Sequence, residues 1–230
     1  FHGFVVISSA LWGTVIGAIF GGIPTEKLGR RKTLIWIGAF FLISALGSAL
    51  ANDPWVFSFF RFLGGLGVGA STVAAPTYIA EIAPAERRGK LVALYQFNIV
   101  FGIMIAFLSN FVLSGIENDA WRWMIGIEAI PALVYSLLVF GVPESPRWLI
   151  NKQKDDATAL EILKVTLSEE EAKEQVTIIK ADAMASPKSE SIYQAKYRFP
   201  LKLAFFIAFF NQFSGINALL YFAPRIFEIA

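Results

Sequence analysis

Cysteine is missing from this sequence, and histidine occurs only once, at His2. Without cysteine the chain can form neither disulfides nor thiolate metal sites, and a single histidine makes no site of its own. We therefore expect no metal and no cofactor. The phosphate-binding loop of ATP-driven pumps is also missing, because the Gly89-Lys90 pair is followed by Leu91 and lacks the earlier glycine.

Charged residues are sparse over six long stretches of the chain. Hydrophobic residues make up 56% of the sequence, which is more than a soluble domain of this length needs. A helix of about 20 apolar residues crosses a hydrocarbon core of about 30 Å. The sequence thus predicts an all-α membrane protein in a lipid bilayer, with spans at 3–25, 33–52, 55–80, 91–116, 121–142 and 203–224.

Basic residues lie in alternate loops. Lys and Arg occur in the loops 26–32 and 81–90 and in the polar stretch 144–202, whereas the loops 52–54 and 114–120 contain none. Basic loops stay on the cytoplasmic side. We therefore expect a multi-pass cell-membrane protein in which the basic segments 26–32, 81–90 and 144–202 are cytoplasmic. The net charge of +2 does not indicate nucleic-acid binding, because these residues do not form one basic face.

A sharp change in composition marks the region 144–199 as the one extended hydrophilic stretch. We interpret 1–143 as helices of a first bundle, 144–199 as a cytoplasmic linker with two short helices, and 200–230 as the start of a second bundle. Asp156 can cap the first short helix, and Ser168 with Glu171 has the form of a capping box. Two interpretations stay open: a solvated insert, or a latch that packs against the inner helix ends.

Five motifs occur in the loops and at the helix ends. They are GIPTEKLGRR at 22–31, RFLGGLGVG at 61–69, PTYIAEIAP at 76–84 with Arg88-Gly89, PESPRWL at 143–149 and NQFSGIN at 211–217. Together, and in this order, they resemble the sugar porter family of the major facilitator superfamily. Asn211 departs from the glutamine that is usual there. The resemblance implies that the chain covers about helices two to seven of twelve, and its start at Phe1, without Met, leads us to expect an internal fragment.

Acidic and basic residues recur together at the predicted inner helix ends. They can form charge-assisted pairs across neighbouring helices: Glu26 with Arg30 or Arg31, Glu81 with Arg88, and Glu144 with Arg147. The resemblance implies that such pairs hold an inner gate closed while one bundle rocks against the other. The alternative is membrane anchoring by the basic residues alone, which does not account for the acids.

Amide side chains are the candidates for a sugar site, because they donate and accept hydrogen bonds as sugar hydroxyls do. Gln96 shares one helix stripe with Ile99 and Ile103. By resemblance the sugar ligands are Gln96, Gln212 and Asn217, with Asn211 beside them. Ordinary hydrogen bonding between helices is the alternative.

The last motif poses a geometric problem. On a regular helix Gln212 lies about 140° from Asn217, so both could not face one site. A helix break at Ser214-Gly215 would allow it.

Arg61 and Glu128 are charges inside predicted membrane spans, where each is costly unless it is paired or functional. The two lie at similar depth, so we expect them to meet. They form either a structural ion pair or a proton-coupling pair, in which a movement that separates them would favour proton uptake by Glu128. By resemblance this pair communicates with an acid on helix one, which the chain does not include.

The sequence therefore predicts part of a secondary transporter, and not an enzyme. We expect it to carry a monosaccharide, a pentose or a hexose, by alternating access, with a proton as the co-transported ion. A facilitative uniporter and a sugar sensor of the same fold are the alternatives. The full-length protein is expected to be a monomer.

Overall fold

The computed structural model describes residues 2–116, 119–185, 194 and 197–215. The regular elements of this part of the chain are helices. They are α1 His2–Phe20, α2 Gly22–Lys27, α3 Arg30–Leu50, α4 Pro54–Ile82, α5 Ala85–Leu113, α6 Ala120–Gly126, α7 Ala129–Phe140, α8 Pro146–Trp148, a π-helical turn Leu149–Gln153, α9 Asp156–Lys164, α10 Glu169–Ala185 and α11 Arg198–Phe213.

Among the described residues, four helical stretches are long and apolar enough to cross a membrane. They are Arg30–Leu50, Pro54–Ile82, Arg87–Leu113 and Ala120–Phe140, and they match the second to fifth predicted spans. The first predicted span, 3–25, corresponds to α1 followed by the short helix α2. The sixth, 203–224, begins within α11, and its part from 216 onward lies outside the described residues.

Glycines bring α1 and α4 into close backbone contact. A Cβ atom at Gly13 would overlap the carbonyl oxygen of Phe62, and a Cβ atom at Gly69 would overlap that of Thr14. Small residues allow this approach in membranes, where no hydrophobic force drives helices together. Gly13 and Gly69 therefore allow the two helices to pack backbone against backbone.

Helix α3 packs against α4 and against the α6–α7 stretch. The core of this contact contains the buried side chains of Leu34, Ile37, Ala74 and Val139. This packing holds the helices α3, α4 and α7 in place relative to one another. The candidate site lies at the start of α3, the end of α4 and the segment after α7.

The segment after α7 folds into short helices with a core of its own. Trp148, Leu149, Ile150 and Ala159 are buried together, and apolar residues of α10 cover them. The capping box is confirmed, because the Glu171 carboxylate accepts hydrogen bonds from the Ser168 backbone N–H at 2.9 Å and hydroxyl at 2.8 Å.

The expected cap of the first short helix is wrong by one residue. Asp155 is the N-cap and accepts a hydrogen bond from the Thr158 N–H at 3.1 Å. Asp156 lies in the first turn and pairs instead with Lys180 of α10. An acid one position later has its carboxylate turned away from the free N–H groups, and two adjacent aspartates made the choice ambiguous.

Contacts divide the chain into two units, 1–183 and 184–230. Helix α11 lies in the second unit, and the other helices lie in the first apart from the end of α10. The division into bundles at 143 and 199 stays a prediction.

Candidate functional site

A buried ion pair joins the start of α3 to the end of α4. The Arg30 guanidinium donates to both carboxylate oxygens of Glu81, with Nε–Oε2 at 2.8 Å and Nη2–Oε1 at 2.7 Å. The two side chains are 13% and 10% exposed. Arg30 also donates to the backbone carbonyl of Thr25 at 3.1 Å. This bidentate geometry is the strong form of an arginine–carboxylate pair.

The carboxylate of Glu144 caps the N-terminus of α3. Its Oε1 accepts hydrogen bonds from the backbone N–H groups of Arg30, at 2.9 Å, and Arg31, at 3.0 Å. Free N–H groups and the helix dipole both favour an anion at this position. Gly29 precedes the helix with φ 100°, and a Cβ atom there would overlap the Glu144 carboxylate. Only glycine combines this φ with the close approach of the acid.

Ser145 and Trp148 connect this cluster to the segment after α7. The Ser145 hydroxyl donates to Glu81 Oε2 at 2.6 Å and accepts from the Trp148 N–H at 3.2 Å. The indole Nε1 of Trp148 donates to the backbone carbonyl of Glu26 at 2.8 Å. The Tyr78 hydroxyl donates to the carbonyl of Pro143 at 2.9 Å. We call Arg30, Glu81, Glu144, Ser145 and Trp148 the inner clamp.

The acid–base pairing differs from the expected one. Arg30 pairs with Glu81, 51 residues away, and not with Glu26. Glu144 binds backbone N–H groups, and Arg147 pairs with Asp182 of α10 at 3.5 Å. Sequence neighbours were the natural candidates, but helix packing brings distant helix ends closer than residues of one loop.

Three further predicted gating residues lie around the clamp. Arg31 donates through Nη2 to the carbonyl of Phe140 at 2.7 Å. In the described part of the chain, the side chains of Glu26 and Arg88 form no ion pair. Arg88 and Glu81 both line a cavity of about 310 Å³, and residues of α10 line it as well.

Ser145, Trp148 and Tyr78 are members of this site that the sequence did not indicate. One signal was available for Ser145, because serine directly before proline is typical of an N-cap followed by the first helical residue. No comparable pattern indicated that Trp148 reaches the carbonyl of Glu26.

Arg61 of α4 and Glu128 meet, as expected. Arg61 Nη1 lies 3.5 Å from Glu128 Oε2, and the side chains are 32% and 54% exposed in this chain. Glu128 lies between α6 and α7, inside the membrane-crossing stretch Ala120–Phe140. The contact is single and long compared with that of Arg30 and Glu81, so a small movement can break it.

The sugar-site candidates that the structure describes lie on two helices. Gln96, Ile99 and Ile103 are exposed on α5, with Ile99 at 42% and Ile103 at 38%. Asn211 is exposed in the last turn of α11, whereas the Gln212 side chain and Asn217 lie outside the described residues.

Ser214-Gly215, the position at which a helix break would let Gln212 and Asn217 face one site, lies just after the end of α11. Helix α11 ends at Phe213, the Ser214 N–H bonds back to the carbonyl of Phe210 at 3.1 Å, and Gly215 has φ 75°. A glycine in the left-handed region is the usual way to end a helix.

The family model named "Sugar (and other) transporter" matches residues 3–230. The chain belongs to this sugar transporter family. It is 34% identical over 227 residues to the galactose-proton symporter of Escherichia coli strain K12, and 35% identical over 246 residues to the D-xylose-proton symporter of the same strain. These alignments cover 98% and 96% of the chain and 48% and 50% of the two relatives. The chain thus spans about half the length of the curated relatives it matches.

A solved structure shows the same fold. The xylose transporter XylE from E. coli, in a partially occluded inward-open conformation, matches with a TM-score of 0.84 and 33% identity, over 96% of this chain and 53% of that one. The sequence-based assignment to the sugar porter family of the major facilitator superfamily is therefore confirmed. The described residues have the all-α membrane fold of that superfamily.

Proposed function

We propose that this chain is part of a secondary active transporter that carries a monosaccharide across the cell membrane together with a proton. The observation that carries the proposal is the Arg61–Glu128 pair inside membrane-crossing helices. Two relatives, which transport galactose and D-xylose, are proton symporters by name. Their names support both parts of the proposal: a sugar as substrate and a proton as the co-transported ion.

The sugar contacts are proposed to come from amides on two helices. Gln96 is exposed on α5, where neighbouring Ile99 and Ile103 offer apolar surface to the faces of a sugar ring. Gln212, Asn217 and Asn211 would contribute from the other helix, near the point where α11 ends. Amides suit a neutral polyol because each can pair a hydroxyl both as donor and as acceptor.

The inner clamp is proposed to be one side of the gate. It ties the ends of α2, α3, α4 and the segment after α7 through hydrogen bonds that include a buried bidentate ion pair. Such an arrangement has a discrete closed state, which is what alternating access needs. In this proposal the segment 144–202 lies in the cytoplasm, and its first part acts as a latch, because Trp148 fastens it to the end of α2.

The coupling step is proposed to be protonation of Glu128. Paired with Arg61 it is a carboxylate, and when helix movement separates the pair, an unpaired charge in the membrane becomes costly. Proton uptake removes that cost. One charge crossing 100 mV supplies about 2.3 kcal/mol, which supports roughly 50-fold accumulation of sugar.

Transport by the full-length protein in lipid vesicles tests the proposal. Vesicles with an inward proton gradient should accumulate galactose, xylose or glucose above the outside concentration, and an uncoupler should abolish this accumulation. Sugar counterflow, which needs no driving force, should survive the uncoupler. Counterflow without accumulation would identify a facilitative uniporter, and sugar binding without counterflow would identify a sensor.

A further inference from the structure

The membrane-crossing stretch Ala120–Phe140 is interrupted at Ile127 and Glu128, between α6 and α7. Two backbone hydrogen bonds here join residues three apart instead of four. Glu128 N–H donates to the carbonyl of Ile125 at 3.1 Å, and Ile130 N–H donates to that of Ile127 at 3.1 Å. Such bonds wind the chain at about 3.0 residues per turn instead of 3.6. The helix is thus overwound at Glu128.

Pro131 accounts for this overwinding. It lies four residues after Ile127 and has no N–H, so the Ile127 carbonyl cannot accept the usual helical bond, and the proline ring crowds that carbonyl. The N–H of Ile130 takes the place of the missing donor. The regular spacing resumes where Ala132 N–H donates to the carbonyl of Glu128 at 3.2 Å.

Overwinding changes the direction in which the Glu128 side chain points. A residue of a 3.0-fold turn advances by about 120° around the axis, compared with about 100° in an α-helix. At about 5–6 Å from the axis, each 20° moves a carboxylate by about 2 Å. The Arg61–Glu128 contact is a single one at 3.5 Å, so a shift of this size decides whether it forms.

We propose that Pro131 is a positioning residue that aims the carboxylate of Glu128 at Arg61 by setting the local winding of the helix. Arg61 is the residue that forms an ion pair with Glu128 in the described part of the chain. The effect of Pro131 on the ion pair does not depend on the proposed function. The effect on transport rests on the proposed proton coupling.

A double-mutant cycle on the ion pair tests the positioning directly. Arg61→Gln, Glu128→Gln and their combination are made in the full-length protein, once with Pro131 and once with Pro131→Ala, and melting temperatures are measured in detergent. With Pro131 present, the change in melting temperature of the double variant should differ by about 2 °C or more from the sum of the changes in the two single variants, which is a departure from additivity. With Pro131→Ala the departure should vanish, although this substitution itself should leave the protein folded because it restores a helical N–H.

A matched control comes from the same helix. Leu137→Ala removes an exposed apolar side chain of α7 away from the break and should leave the departure from additivity unchanged. The same departure with Pro131 and with Pro131→Ala would overturn the proposal, and so would additivity in both.

Transport gives the second readout. Pro131→Ala should lower sugar accumulation at 100 mV from as much as about 50-fold toward equality while counterflow persists, and it should cause no further loss when Glu128→Gln is already present. Loss of counterflow together with accumulation would indicate general structural damage and would contradict positioning. If the native protein accumulates no sugar, the proposed symport fails, and the melting-temperature cycle still decides the role of Pro131.

Discussion

Glu81 and Arg30 are held together by two parallel hydrogen bonds, at 2.7 and 2.8 Å, although 51 residues separate them in the chain. The pair closes the gap between the end of α4 and the start of α3, and a third hydrogen bond from Ser145 reaches the same carboxylate. Because both charges are nearly removed from solvent, neither can lose its partner without a large penalty. A movement that separates the end of α4 from the start of α3 would have to break this pair.

We first predict that Glu81→Gln destabilises the closed clamp. The substitution leaves the Arg30 guanidinium buried without a countercharge, and we expect a loss of about 3 kcal/mol or more in thermal unfolding of the full-length protein. Asp182→Asn is the matched control, because it breaks the exposed pair with Arg147. That change should cost less than about 1 kcal/mol. Equal losses of stability in the two variants would show that the Arg30–Glu81 pair contributes no more than an exposed ion pair does.

The second prediction concerns the contact between α1 and α4. Gly69→Ala places a methyl group into the carbonyl of Thr14, so the helices must separate, and the yield of folded protein should fall sharply. Gly102→Ala in α5, where a Cβ atom meets nothing within 4 Å, should be neutral or stabilise by as much as about 1 kcal/mol. Size-exclusion profiles and melting temperatures of the two variants make the comparison. A well-folded Gly69→Ala protein would refute the close packing.

Sugar binding gives the third prediction. Gln96→Ala and Gln212→Ala should each weaken binding by at least about tenfold, because sugar hydroxyls are left without partners. Asn98→Ala is the control for Gln96, since it removes an exposed amide two residues along α5 that points to another side of the helix. Isothermal titration with galactose, xylose and glucose measures the effect. Unchanged affinity in both glutamine variants would remove these residues from the site.

The fourth prediction separates a coupling role of Glu128 from a structural one. Glu128→Gln keeps the shape of the side chain and removes its titration, so uphill uptake should be lost while counterflow continues. A purely structural pair predicts instead that Arg61 without its partner lowers stability by several kcal/mol. Uptake, counterflow and melting temperature are measured on one preparation. Normal uphill uptake at normal stability would exclude both roles.

The fifth prediction is a pH dependence of helix α10. Hydrogen bonds from the Ser168 backbone N–H and hydroxyl lower the pKa of Glu171, which lies outside the membrane-spanning segments. A carboxyl whose pKa is lowered on folding contributes stability above its unfolded pKa of about 4.3 and loses it as pH falls through the folded value.

A peptide of residues 166–185 should therefore lose helical circular dichroism as the pH falls below about 4. In Glu171→Gln, which retains the capping acceptor but does not titrate, the loss should be smaller. An identical pH profile for the two peptides would show that the other acids of the first turn, and not the capping box, cause the change.

Local patterns in the sequence predicted much of this chain. Apolar length located the membrane spans that match α3, α4, α5 and the α6–α7 stretch. The capping box at Ser168 was also predictable, because it depends on residues only a few positions apart. The pairing of Arg61 with Glu128 followed from equal depth in the membrane.

Partners across the fold were decided by tertiary structure alone. Sequence proximity suggested Glu26 for Arg30 and Arg147 for Glu144, but helix packing gave Arg30 to Glu81 and turned Glu144 toward the N–H groups that begin α3. Removing a charge from water is costly unless an oppositely charged or polar partner lies next to it. Which partner is next to it depends on where the helix ends meet in space, and not on their separation along the chain.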